Sequence, residues 1–179
     1  MAQASGAIQG NNETAIAEMH TGALRIHARP QFIELETTTR CNLDCLQCPR
    51  EPGPQGVDVP GWVVDALAPF WPTLQNLSLH GLGEPLMARR TDEIVHTLPP
   101  GSHVWFSSNL QILTERHLEL FAERHGAVSC SLDAATPETY ALIRGGVFER
   151  SLGNIETMRD RTALRLFINM TVMKANHQA

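Results

Sequence analysis

A chain of 179 residues, 42% hydrophobic and 18% charged, suits one domain with a real core and the composition of an ordinary globular protein. A net charge of −5 argues against duplex nucleic acid as the main partner, and no apolar run approaches the ~20 residues that span a bilayer. Met1 to Asn12 lacks a basic stretch followed by an apolar one, so a cytoplasmic protein with no nucleic-acid or membrane partner is expected.

Residues 1–30 show little periodicity and read as a flexible N-terminal extension, with a short helix near Glu13 to His20. Phe32 to Thr37 alternates and is rich in strand formers, which predicts the first strand. Pro49 to Pro60 holds four prolines and two glycines and must be an irregular loop. A helix is expected from Trp62 to Phe70, stopped by Pro72, then a strand over Leu74 to His80. Asp92 to Leu98 predicts a helix and His103 to Ser107 a strand. Thr114 caps a helix running to about His125, with Gly126 closing it. Ala127 to Leu132 is the fourth strand. Thr136-Pro137-Glu138 combines an N-cap, a first-turn proline and a first-turn acid, starting a helix toward Arg144. Gly145-Gly146 interrupts it. A helix from Phe148 to Arg161 and a strand from Leu164 to Met173 complete the pattern.

Five alternations of strand and helix predict an α/β fold with a parallel sheet. Polar residues fall at the exits of successive strands: Gly81 to Pro85 after the second, Asn109 after the third, Ser131 and Asp133 at the fourth, Asn176 after the fifth. In parallel α/β barrels those exits converge on one rim, which predicts a common site.

The strongest local signal is Cys41-Asn42-Leu43-Asp44-Cys45-Leu46-Gln47-Cys48, spaced C-x3-C-x2-C. The only other cysteine, Cys130, lies inside a predicted strand. Four cysteines so arranged, with no secretory signal, suggest reduced thiols or metal ligands and not a disulfide framework. A closed tetrahedral zinc site wants four ligands. Three thiolates suit a 4Fe-4S cluster with one iron open, or a zinc site completed by a histidine such as His80 or His103. No His-Glu-x-x-His, Gly-x-Ser-x-Gly or phosphate-binding loop motif is present.

This cysteine spacing after a strand resembles the signature of the radical S-adenosyl-L-methionine (SAM) superfamily. Gly81-Leu82-Gly83-Glu84-Pro85 is similar to that family's Gly-Gly-Glu-Pro segment, and Ser108-Asn109-Leu110 to its Thr-Asn-Gly, with Leu110 in place of glycine. Ser129-Cys130-Ser131-Leu132-Asp133 resembles its Ser-x-Asp segment. Thr136 to Gly146, ending in Ile143-Arg144-Gly145, resembles a stretch in its peptide- and sugar-modifying members. The resemblance points to the group that includes peptide maturases, sulfatase-maturing enzymes and the molybdenum-cofactor cyclase, without the C-terminal auxiliary-cluster domain of the SPASM type.

The resemblance implies a partial (βα) barrel, with about five of six βα units present and a core domain over residues 31–179 that is C-terminally incomplete. It implies a 4Fe-4S cluster on Cys41, Cys45 and Cys48 that cleaves SAM reductively to a 5′-deoxyadenosyl radical. By the same resemblance Gly81, Gly83, Glu84 and Pro85 meet the SAM ammonium, Ser131 its ribose or carboxylate region, and Arg144 its carboxylate. Asn109, Asp133 and Asn176 are further cofactor-binding candidates. An electron donor such as flavodoxin or ferredoxin is implied, with a peptide, protein or small molecule as substrate. A non-catalytic iron–sulfur or zinc module left by truncation is the alternative.

Overall fold

A computed structural model describes residues 2–51, 53 and 55–177. Pro52 and Pro54, part of the expected irregular loop, lie outside the described residues. Five strands, β1 (Phe32–Glu34), β2 (Asn76–Leu79), β3 (His103–Ser108), β4 (His125–Ser131) and β5 (Arg165–Asn169), form one parallel sheet in the order β1-β2-β3-β4-β5. Six α-helices accompany them: α1 (Ala2–Thr21), α2 (Gly61–Leu67), α3 (Thr91–Thr97), α4 (Glu115–Phe121), α5 (Pro137–Arg144) and α6 (Phe148–Arg161). Parallel neighbours need a crossover, and each strand is joined to the next by helix and loop.

Alternation along the strands sorts the residues into two faces. Leu77, Leu79, Val104, Phe106, Val128 and Cys130 face the helices. They pack there against Val64 of α2, Ile94 and Val95 of α3, Phe121 of α4 and Met158 of α6. Phe106 and Phe121 stack with centroids 4.9 Å apart. Glu34, Ser78 and Trp105 are ladder partners on the opposite face, the inner wall of a partial barrel.

Several expectations change: β1 stops at Glu34, short of Thr37, and β5 runs only from Arg165 to Asn169, short of Met173. The N-terminal helix is longer than Glu13 to His20, because Asn11, Asn12 and Glu18 tie it down. Asn12 Oδ1 accepts from Gln75 Nε2 at 2.7 Å, and Glu18 accepts from the backbone of His27 and Ala28. The helix expected to reach His125 ends at Phe121, and Gly126 belongs to β4. A Cβ on Gly126 would stand 1.8 Å from Val104 O, and its φ is +134°, so glycine serves close strand approach there. Pro72 does not stop α2 directly: the chain passes through a 3₁₀ turn, Ala68–Thr73, that contains it.

Candidate functional site

The exit of β1 leads into the cysteine loop. Arg40 fixes its start, donating to both oxygens of Asp58 at 2.8 Å and to Met87 O. Arg50 fixes its end through Leu43 O and Asp44 Oδ1. In the middle, Leu46 N donates to Ile143 O at 2.8 Å, so the loop sits on the C-terminal turn of α5. That turn ends where it does because Gly145 takes the left-handed conformation, φ 71°.

Cys41, Cys45 and Cys48 line one cavity of about 400 Å³. The exits of β2 (His80, Gly81, Leu82, Gly83, Glu84), β3 (Ser107, Ser108, Asn109) and β4 (Ser131) complete it, with Arg144 and Thr171. Most of the residues expected from strand exits therefore meet in one place. Among the described residues no three His, Cys, Asp or Glu side chains converge on a single metal ion. Burial pushes the Cys41 thiol up; it does the same at Cys45, where Arg144 pulls the other way. Metal loading must therefore displace protons from both. Cys130 is on the helix side of β4, its thiol pushed up to about 11 by burial, away from the cavity. The donor set is thus three thiols, which fits a cluster held by three cysteines.

Glycine is required at position 83 of the β2 exit, where backbone closes in, and at position 81 a side chain would have to displace Glu36. A Cβ on Gly83 would meet Thr38 O at 2.1 Å, and one on Gly81 would meet the Glu36 side chain at 2.4 Å. Glu84 N donates to Arg40 O, pinning this exit to the cysteine loop. The Glu84 carboxylate is engaged by the protein itself. It accepts from Ser108 Oγ at 2.8 Å, Asn109 N at 2.8 Å and Leu86 N at 3.1 Å. Burial raises its pKa against the pull of those donors. Pro85 is buried in a 3₁₀ turn behind the cavity.

Asn109 Nδ2 donates to Asn42 Oδ1 at 2.9 Å and approaches Cys41 Sγ at 3.7 Å. The next residue, Leu110, stands at φ 51°. Where the resembling segment has glycine, this chain holds a fully buried leucine in a left-handed conformation, at a cost of about 1–2 kcal/mol. Arg144 pairs with Asp133 at 2.9 Å, both buried. Asp133 stands behind the cavity wall and not in it. Asn176 is turned away as well: its amide donates to Asp133 O and Thr171 O and accepts from Met173 N. It locks the turn after β5.

Sequence reasoning passed over Gln47, Ser107 and Thr171, and weighed His80 only as a zinc ligand. Alternation carried the signal for two of them. His80 and Ser107 are neighbours on the inner face, Ser107 Oγ lying 3.3 Å from His80 Nε2. His103, the other histidine offered to zinc, is at the opposite end of β3.

The family model described as the radical SAM superfamily matches residues 35–178. The chain belongs to that superfamily. Radical SAM relatives include a probable GTP 3′,8-cyclase of Methanosarcina mazei, 27% identical over 155 residues, which cover 79% of this chain and 46% of that protein. The chain spans about half the length of the curated relatives it matches. Among solved structures, Streptococcus suis SuiB bound to S-adenosylmethionine superposes with a TM-score of 0.65 at 16% identity, covering 93% of this chain and 39% of SuiB. SuiB is also known bound to its precursor peptide SuiA. The enzyme anSMEcpe with bound AdoMet gives 0.61 at 15% identity, covering 76% of this chain and 41% of that one. These likenesses establish the partial radical SAM barrel. Membership of the superfamily implies a 4Fe-4S cluster and SAM.

Proposed function

We propose that this chain is the cofactor-binding core of a radical SAM enzyme that opens its reaction by cleaving SAM reductively. Three thiols on one cavity wall, met there by the exits of β2, β3 and β4 with no fourth cysteine, carry the reading. A 4Fe-4S cluster held by Cys41, Cys45 and Cys48 would supply the electron for reductive cleavage of SAM, the chemistry that would begin hydrogen abstraction from a substrate.

The chain's own residues hold, orient and exclude water. Cys41, Cys45 and Cys48 anchor the cluster. Backbone oxygens of the Gly81–Gly83 segment receive the SAM ammonium, since the glycines permit close approach and the Glu84 carboxylate already has three donors. Arg144, whose Nε is buried without a partner, receives the methionyl carboxylate. Ser131 faces the ribose. Asn109 steadies the loop beside Cys41.

The substrate is a peptide, a protein or a small molecule. The names of the archaeal relatives favour a second reading, a purine nucleoside triphosphate. Against it, β1 sets Glu34 on the inner face, with Glu36 beside Gly81, and carboxylates repel a triphosphate.

Anaerobic reconstitution with iron and sulfide, then dithionite and SAM, tests the proposal. About four irons per chain, broad visible absorbance and release of 5′-deoxyadenosine are expected. Replacing all three loop cysteines by alanine should abolish all of these. Stoichiometric zinc without a chromophore would overturn the reading. GTP-dependent SAM consumption would instead establish the second reading of the substrate.

A further inference from the structure

One buried carboxylate joins four parts of the chain behind the cavity. Asp133 Oδ2 accepts from Gln47 Nε2 at 2.8 Å and from Arg144 Nη1 at 2.9 Å; its Oδ1 accepts from the Thr171 backbone N–H at 2.6 Å. Its carbonyl oxygen accepts from Asn176 Nδ2 at 2.8 Å. The cysteine loop, the β4 exit, the end of α5 and the turn after β5 therefore share one residue.

Asp133 stands at φ 59°, an uncommon conformation that Asp and Asn tolerate better than most residues. β4 has ended at Ser131, so the side chain has left the alternation that would place it beside Ser131 on the cavity wall. Gln47 lies between Cys45 and Cys48. Its Oε1 and the Nε of Arg144 are buried without partners, so Asp133 is the acceptor that both side chains share. The remaining ties of this part of the loop lead to the same place: Leu46 N to Ile143 O, and Cys45 Sγ to Arg144 O at 3.8 Å.

We propose that Asp133 is a positioning residue that acts through Gln47 and Arg144. It fixes the cysteine loop against the end of α5, so that the thiols and the cavity guanidinium keep one mutual geometry. The inference rests on the function proposed above for what the loop carries, but not for how the loop is held. Charge-assisted bonds within a buried site are the strong ones, and losing the acceptor leaves the Arg144 cation buried and unpaired. The loop should then open locally while the sheet stays closed.

Hydrogen–deuterium exchange on the full chain without iron tests this directly. Asp133→Asn keeps the shape and tolerates the backbone, but removes the charge and opposes an amide N–H either to the Thr171 N–H or to the Gln47 and Arg144 donors together. Gln47→Leu cuts the link from the loop side without touching the ion pair. Either variant should speed exchange of the 41–48 amides by about tenfold or more, the scale of one lost charged hydrogen bond. Amides of β2 and β3 should keep their protection. After anaerobic loading, both single variants should lose iron to a chelator several-fold faster than the unaltered chain.

Unchanged exchange at 41–48 in both single variants overturns the proposal. An equal rise across β2 and β3 also overturns it, making Asp133 a general stability residue. A chain that takes up no iron defeats the proposed function, while the exchange result still decides this inference.

Discussion

Glu84 shows most clearly how a residue's motif and its chemistry can part. Its place in Gly81 to Pro85 suggests an acceptor for the SAM ammonium. Folding instead engages the carboxylate within the protein, where it ties the β2 exit to Ser108 and Asn109. Desolvation raises its pKa above the ordinary 4.5 despite three donors. The folded state therefore holds the proton more tightly than the unfolded one. The stability this contributes is full below about 4.5 and is lost as pH rises through the folded value. Urea unfolding across a pH series should show that decline in the unaltered chain, and Glu84→Gln should flatten it. An identical slope in the variant would mean that Glu84 is not the group responsible. The need for Gly83 was legible from the motif, but the engagement of the Glu84 carboxylate was not, because two of its three donors, Ser108 and Asn109, lie about 25 residues away.

Among the elements, α5 is the one whose ends matter for the site. Thr136, Pro137 and Glu138 announce its start, and Thr136 Oγ1 does accept from Thr139 N. Its last carbonyls, at Ile143 and Arg144, receive the cysteine loop. Gly145 ends it at φ 71° with open space around the position of a Cβ. Gly145→Ala should therefore cost about 1 kcal/mol from backbone strain alone, read as a lowered urea midpoint. A loss several times larger would point to contacts that the open space argues against. α6 was legible at both ends because its apolar spacing and flanking residues agree. α4 was not: Gly126 looks like a helix stop in isolation, and only its contact with Val104 reveals a strand.

At the scale of the molecule, the sheet described here has two edges, β1 and β5, and an uncovered inner face. On β5, Phe167 and Ile168 are both more than half exposed. Unpaired edges with apolar side chains invite pairing with another chain. Sedimentation velocity of the isolated chain should show concentration-dependent association, and Ile168→Lys should reduce it by placing a charge on the edge. Association unaltered by the lysine would place the contact elsewhere. The same openness sets Glu34 and Trp105 on the wall of a second cavity, which meets the first at His80.

Sequence by itself determined the strand count, the parallel α/β class and the three thiols, because strand alternation, turn chemistry and cysteine spacing are local properties. It also determined which strand exits carry polar residues. Only the tertiary structure decided how those residues divide the work. Gly81, Gly83, Asn109, Ser131 and Arg144 reach the cavity, Glu84 lines it while its carboxylate is held by Ser108, Asn109 and Leu86, and Asp133 and Asn176 stand outside it and hold the frame. That division depends on hydrogen bonds between segments as distant as Gln47 and Asp133, and on a left-handed turn at Asp133 that strand alternation does not foresee. The cysteine loop carries the three thiols, and α5 and the β4 exit lie behind it through Ile143 O and Asp133.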